Sequence, residues 1–288
     1  MVFSSLFFLY IFLPANIILY FLARTNRVRN WIMVAFSLVF YAWGEPVWIF
    51  LLLFTAFLNW LLALTMEKHL GTPRAKYALV AAVAVDLWLL VIFKYTGFLY
   101  ENINAILGTS FRDPGIALPI GISFYTFQII SYMADVYRRE VEAQPSFLKF
   151  LMYVTMYHQL VAGPIVRYQW IAQEIDHRRT DVTEVWNGLC RFSVGLCKKV
   201  VVANAAGKLA AQYLDGDLAR LTTAGAIFGI LMFTIQIYYD FSAYSDMAIG
   251  MGRIFGFHYM ENFNYPYIAR SVTDFWRRWH ISLSTFFR

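Results

Sequence analysis

Apolar runs separated by short polar loops dominate the first half of the chain. The runs long enough for a helix to cross the roughly 30 Å hydrocarbon core of a bilayer are residues 2–23, 47–66, 77–99 and 117–137. A shorter run, 31–43, turns at Gly44-Glu45-Pro46. The pattern predicts a polytopic helical membrane protein.

Basic residues mark alternate loops between these runs. The run 2–23 is followed by Arg24, Arg27 and Arg29. The run 47–66 is followed by the basic loop from Lys68 to Lys76, and the run 117–137 by Arg138-Arg139. Since Lys and Arg accumulate in cytoplasmic loops, the pattern places the N-terminus outside. The first run has neither a basic leader nor a small-residue cleavage site, so we expect it to be retained as a span.

Beyond residue 140 the pattern loosens. Residues 147–163 are apolar but short and end at Gly163-Pro164, which predicts a segment that re-enters without crossing. Residues 186–213 are amphipathic, and residues 224–250 form a further span with an unusually polar end. We therefore predict one membrane domain over residues 1–288 and no soluble domain.

The last 28 residues carry the densest candidate chemistry. Ser271 and Asp274 predict a helix N-terminus. Behind them the spacing predicts a helix with an apolar stripe and, beside it, a stripe formed by Trp276, His280 and Ser284. Arg277 and Arg278 flank the second stripe, which puts an imidazole next to two fixed cations and a hydroxyl.

Composition agrees with a membrane protein and excludes other classes. Hydrophobic residues make up 60% of the chain and charged residues 15%, against about 25% in soluble domains. The net charge of +6 reflects the Lys and Arg residues of cytoplasmic loops. The sequence has no basic stripe on a soluble face, so the charge does not indicate nucleic-acid binding. Cys190 and Cys197 lie about 10 Å apart on one helix, too far for a disulfide, and no Cys/His spacing indicates a metal site.

His280 has two interpretations on residue chemistry alone. It belongs either to an interfacial helix whose arginines bind lipid phosphates, or to a site where it takes a proton from a hydroxyl that attacks an ester or thioester. A second polar cluster, Asp240 to Asp246 with Tyr244 within it, is too costly to face lipid. We expect that cluster to line a hydrated cavity or an interface.

Motifs along the whole chain resemble the membrane-bound O-acyltransferase family. They are FYAWGEP, LPIGISFYTFQIISYMADVYR, HQLVAGPIVR, GLCKKVVVAN, YYDFSAYSDMAIGMG and MENFNYPYIARSVTDFWRRWHISLSTFFR. These motif sequences are similar to those of the bacterial branch that contains the alginate O-acetyltransferase. They are less similar to the motif sequences of the D-alanyl branch.

The resemblance implies an all-α ring of transmembrane and re-entrant helices around a central pore. It implies transfer of an acyl group from a cytoplasmic donor to an exported polysaccharide. The motif sequences are closer to those of polysaccharide O-acetyltransferases, which implies that the acyl group is acetyl. His280 matches one histidine of the family's functional pair. The other, in a Leu-Trp-His-Gly context, does not occur here, so the resemblance implies an N-terminal part of such an enzyme without that histidine.

These expectations assign roles to seven residues. His280 is the catalytic candidate, and the candidates for binding substrate or lining the pore are Arg277, Arg278, Asp240, Tyr244, Asp246 and Asn264. We expect no bound cofactor or metal, and acetyl-CoA or another acyl donor as co-substrate. The expected location of the protein is the inner membrane of a bacterium. Its expected partners are periplasmic or extracellular acetyl-transfer proteins. Three alternatives stay open: a transporter, a structural subunit of a polysaccharide-modification complex, and an inactive remnant.

Overall fold

The computed structural model describes residues 1–112, 114–160, 163–216 and 221–287, and these residues form helices joined by loops. Their contacts define two compact units that alternate along the chain. One unit comprises Met1–Asn26, Ala162–Val166 and Asp176–Arg288, and the other Arg27–Val161 and Arg167–Ile175. The all-α fold is as predicted, whereas the single membrane domain stays a prediction.

The second unit is a bundle of helices with apolar faces. Its elements are α2 (Asn26–Gly44), α3 (Ile49–Lys68), α4 (Pro73–Leu107), α5 (Ile122–Tyr137), α6 (Phe147–Thr155), α7 (Tyr157–Leu160) and α8 (Tyr168–His177). The buried Asp86 of α4 accepts a hydrogen bond from Asn59 Nδ2 of α3 at 2.9 Å. The amide gives this carboxylate a partner, as an acid inside a membrane helix requires.

The first unit contains the candidate site. Its elements are a π-helical turn (Phe8–Phe12), α1 (Leu13–Leu22), α9 (Val182–Cys197), a second π segment (Lys198–Ala203), α10 (Asn204–Leu214), α11 (Thr223–Ile254), a 3₁₀ turn (Pro266–Ile268), α12 (Val272–Arg278) and α13 (Ile281–Phe286). The second π segment makes α9 and α10 one helical run packed along α11.

Three of the described helices are long and apolar enough to cross a membrane. They are α3, α4 and α11, which confirms the spans predicted at 47–66, 77–99 and 224–250. The predicted first span is a shorter apolar helix, Phe8–Leu22. The run 117–137 gives a helix only from Ile122, because Pro119 and the left-handed Gly121 (φ 77°) precede it.

Two further elements differ from their predicted bounds. α4 continues to Leu107, into the predicted loop 100–116, since neither proline nor glycine occurs between Gly97 and the left-handed Gly108. The run 147–163 is broken at Met156, between α6 and α7. Residues 161 and 162 of that run lie outside the described residues.

Glycines let α9 and α11 approach backbone to backbone. A Cβ built on Gly250 of α11 would lie 2.6 Å from the backbone nitrogen of Phe192 and 2.7 Å from the carbonyl oxygen of Gly188, both on α9. Backbone atoms cannot rotate away as a side chain can. Small residues at such crossings are what close packing of membrane helices requires.

Gly250→Ala is expected to lower the free energy of unfolding by about 1–3 kcal/mol, because the methyl group forces α9 and α11 apart. Thermal unfolding of the purified protein in detergent measures the change. Gly216→Ala is the control, since a Cβ built there has, among the described residues beyond its chain neighbours, a carbonyl oxygen at 4.0 Å as its nearest atom. Equal loss in both variants would contradict the assigned helix contact.

Candidate functional site

Two aspartates on α11 are paired with cations on the neighbouring helical run. Lys199 Nζ lies 2.6 Å from Asp240 Oδ1, and Lys198 Nζ lies 2.6 Å from Asp246 Oδ2. Arg191 Nε donates to Asp246 Oδ1 at 2.7 Å. Asp240 is half-buried and Asp246 is 6% exposed. The two acids predicted to line a cavity are therefore neutralised, and they also tie α9 and its π extension to α11.

A cavity of about 600 Å³, here the ion-pair cavity, lies beside this cluster. Asp246 and Asn264 line it, as do Arg191 and Lys198. Ser242 also lines it, and its buried hydroxyl has no hydrogen-bond partner among the described residues. The cavity thus joins paired charges to an unsatisfied neutral hydroxyl.

The predicted helix start is confirmed, since Ser271 Oγ accepts a hydrogen bond from Asp274 N at 3.1 Å. The prediction that this helix continues through His280 is wrong. Trp279 is extended, and His280 is left-handed with φ 47°. A continuous helix needs Ile281 N to bond Arg277 O, but Ile281 N donates to Asn262 O at 2.9 Å. The competing bond from a distant loop ends α12 at Arg278.

The His280 cavity, of about 510 Å³, still collects the predicted stripe. Trp276, His280 and Ser284 all line it, together with Arg277. His280 is 8% exposed, and its buried Nδ1 atom has no hydrogen-bond partner among the described residues. The Phe241 ring of α11 lies 4.7 Å from the imidazole, centroid to centroid. A buried imidazole and the Arg277 side chain therefore line the same cavity.

Burial lowers the pKa of His280 below its usual value of 6.5. Desolvation disfavours the charged imidazolium, so the ring is neutral at pH 7. A neutral imidazole can take a proton from a hydroxyl, which an imidazolium cannot do. This is the protonation state that a general base needs.

The remaining predicted residues lie outside the His280 cavity. Asp240 and Tyr244 line a smaller cavity of about 280 Å³. Arg278 Nε donates to Asp274 Oδ1 at 2.9 Å, so its guanidinium is paired within α12. Six of the seven predicted site residues are thus divided among three cavities, while Arg278 lines none of these three, and only Arg277 shares the cavity that contains His280.

Two parts of the site were not predicted from the sequence. Asn262 lies in the loop after α11 and makes the contacts that shape the backbone at His280. Arg191 and Lys198 lie in the segment 186–213, and their spacing of seven on one helix face is a signal from which their pairing with a common partner could have been predicted. Within the described part of the chain, no three His, Cys, Asp or Glu side chains group as metal ligands would.

Comparison with known proteins identifies the class to which this helical membrane fold belongs. The model of the membrane-bound O-acyltransferase family matches residues 36–288. The chain belongs to that family.

Curated relatives align with all of this chain. A Pseudomonas aeruginosa protein named "Probable alginate O-acetylase AlgI" is 43% identical over 295 residues, covering 100% of this chain and 56% of the relative. A peptidoglycan O-acetyltransferase of Helicobacter pylori is 32% identical over 320 residues, covering 100% of this chain and 60% of the relative. The chain thus spans little more than half the length of these relatives.

A more distant match is a teichoic acid D-alanyltransferase of Bacillus subtilis. It is 26% identical over 177 residues, which are 59% of this chain and 43% of the relative. The resemblance to the O-acetyltransferase branch therefore extends over more of the chain than the resemblance to the D-alanyl branch.

Proposed function

We propose that this protein is a membrane O-acyltransferase that passes an acetyl group from a cytoplasmic donor to a hydroxyl of an exported polysaccharide. The observation that carries the proposal is the buried, neutral His280, whose Nδ1 has no partner among the described residues and which faces a cavity containing Arg277. The names of the relatives, which act on alginate and peptidoglycan, support a polysaccharide acceptor.

The neutral protonation state of His280 determines its role in the proposed reaction. His280 takes the proton of an acceptor hydroxyl as the oxygen attacks the carbonyl of an acyl thioester such as acetyl-CoA. The new carbon–oxygen bond forms an ester, the carbon–sulfur bond breaks, and the leaving sulfur receives the proton from His280. Arg277 supplies a fixed positive charge for an anionic group of the donor or acceptor.

The proposal includes the setting of the reaction. The alternating basic loops support an orientation in the bacterial inner membrane with the N-terminus outside. Acetyl-transfer proteins on the outer side are the proposed partners. Asp246 and Asn264 of the ion-pair cavity, with Asp240, Tyr244 and Arg278, are proposed to line the substrate path.

Transfer can be measured with membrane vesicles in which the cytoplasmic face is outward. Radiolabelled acetyl-CoA is added, and alkali-labile label on polysaccharide is counted. We expect labelled ester only in vesicles that contain the protein. Equal labelling in vesicles without it would contradict the proposed function.

The rate of transfer is expected to stay constant from pH 8 to pH 7 and to fall only below the usual imidazole pKa of 6.5. The reason is that the neutral ring is the reactive form and burial holds its pKa below that value. Initial rates at saturating donor across pH 5–8 test this. An inflection above pH 7 would show that a different group takes the proton.

A further inference from the structure

Asn262 is buried, and both polar atoms of its side chain are bonded. Its Oδ1 accepts hydrogen bonds from Ser282 N at 3.2 Å and from Ser282 Oγ at 2.9 Å. Its Nδ2 donates to Ser245 Oγ of α11 at 3.0 Å, and its carbonyl oxygen accepts from Ile281 N at 2.9 Å. Three of these four bonds therefore reach the two residues that directly follow His280.

The same loop also fixes the chain before His280. Asn264 N donates to the carbonyl oxygen of Arg278 at 2.9 Å. Bonds from one loop thus bracket the pair Trp279-His280 from both sides, and Ser245 ties that loop to the long helix α11.

His280 has a conformation that the chain would not adopt unaided. At φ 47° its Cβ crowds its own backbone, so residues other than glycine rarely adopt this conformation. Such conformations persist only where the surroundings over-determine them, and they occur often at functional sites. The bonds made by Asn262 are well placed to supply that constraint.

We propose that Asn262 is a positioning residue for acyl transfer, which holds the backbone after His280 so that the imidazole faces its cavity. This inference rests on the proposed function. Loss of a buried amide that only stabilises the fold would reduce the amount of folded protein and leave the kcat of the folded protein unchanged. The side chain of Asn262 instead holds Ser282, and its backbone carbonyl holds Ile281, the two residues that follow the candidate base. Loss of the side-chain bonds therefore displaces the imidazole.

Asn262→Leu in the full protein is expected to lower kcat about 100-fold with KM for the donor unchanged, as a misplacement near 1 Å can do. Asn262→Asp keeps the Oδ1 acceptor for Ser282 and is expected to recover at least tenfold of that loss. Asn102→Leu, at an exposed amide on α4, is the matched control and should leave kcat unchanged.

The pH profile separates positioning from stability. A displaced ring becomes more hydrated, so the acid inflection of the rate in Asn262→Leu is expected to move to higher pH. Burial holds the pKa of His280 below its usual value. The charged side chain that lines the same cavity is Arg277 of α12, and the ring packed on the imidazole from α11 is the uncharged Phe241. A purely structural role would reduce the amount of folded protein without moving the inflection.

The outcomes distinguish the two proposals. Wild-type kcat and a wild-type inflection in Asn262→Leu, with His280→Ala inactive, would overturn the positioning role and leave the proposed function intact. Transfer retained in His280→Ala would overturn both. If Asn262→Leu does not insert, Ser245→Ala, which removes only the bond to α11, should shift kcat and inflection in the same direction, and an unchanged profile would overturn the inference.

Discussion

Replacing His280 with alanine is expected to lower the rate of acyl transfer by about 1000-fold, because a positioned general base contributes roughly 10²–10⁴-fold. Among the described residues that line its cavity, the imidazole is the titratable group that is neutral at pH 7, and its Nδ1 has no hydrogen-bond partner in the described part of the chain. Alanine removes it without adding bulk, so membrane insertion should be unaffected. Labelled ester on polysaccharide, divided by the amount of inserted protein, measures the effect.

His258→Ala is the matched control for this variant. His258 is exposed, and its Nε2 lies 3.7 Å from Glu184 Oε2, outside the His280 cavity. Transfer should remain at the wild-type level in this variant. If His280→Ala also retained transfer, the base would be elsewhere, and the alternatives of a transporter or a structural subunit would gain support.

Long apolar helices were predictable because their signal is local. A run of about 20 apolar residues cannot be stable in water or as an exposed loop in lipid, so α3, α4 and α11 follow from composition alone. The limits of the shorter elements were less predictable. α5 starts late because of Pro119 and Gly121, whose turn shortens an apolar run that is otherwise continuous.

The break at His280 could not be read from spacing. Residues after Ser271 have the 3.6-residue period of one helix, and the local sequence contains no glycine or proline to end it. The helix ends because Asn262 takes the amide of Ile281, a contact that exists only in the folded chain. The stripe of Trp276, His280 and Ser284 nevertheless lines one cavity, so the predicted grouping survived a wrong backbone.

The acidic residues of α11 illustrate the same limit. Their cost in lipid correctly indicated that Asp240 and Asp246 need polar surroundings. Which cations they meet depends on how α9 and its π extension pack on α11, and that packing depends on the close contact at Gly250. Pairing between residues about 50 positions apart is a tertiary property.

Asp246→Ala is expected to lower the free energy of unfolding by about 2–3 kcal/mol, because it leaves two cations near α11 without their carboxylate. Arg191 and Lys198 both bond Asp246, whose side chain is 8% exposed. The expected loss is less than for a fully buried pair, since both cations are partly exposed and Arg191 keeps its bond to Glu261.

Asp240→Ala provides the comparison within the same helix. Asp240 bonds one cation, Lys199, and its side chain is 34% exposed, so we expect a loss below about 1 kcal/mol. Thermal unfolding of both variants in the same detergent gives the difference. Raising the salt concentration should weaken the Asp240 pair more than the buried Asp246 cluster. Equal destabilisation by the two variants would mean that burial of Asp246 does not set the strength of the contact between α9 and α11.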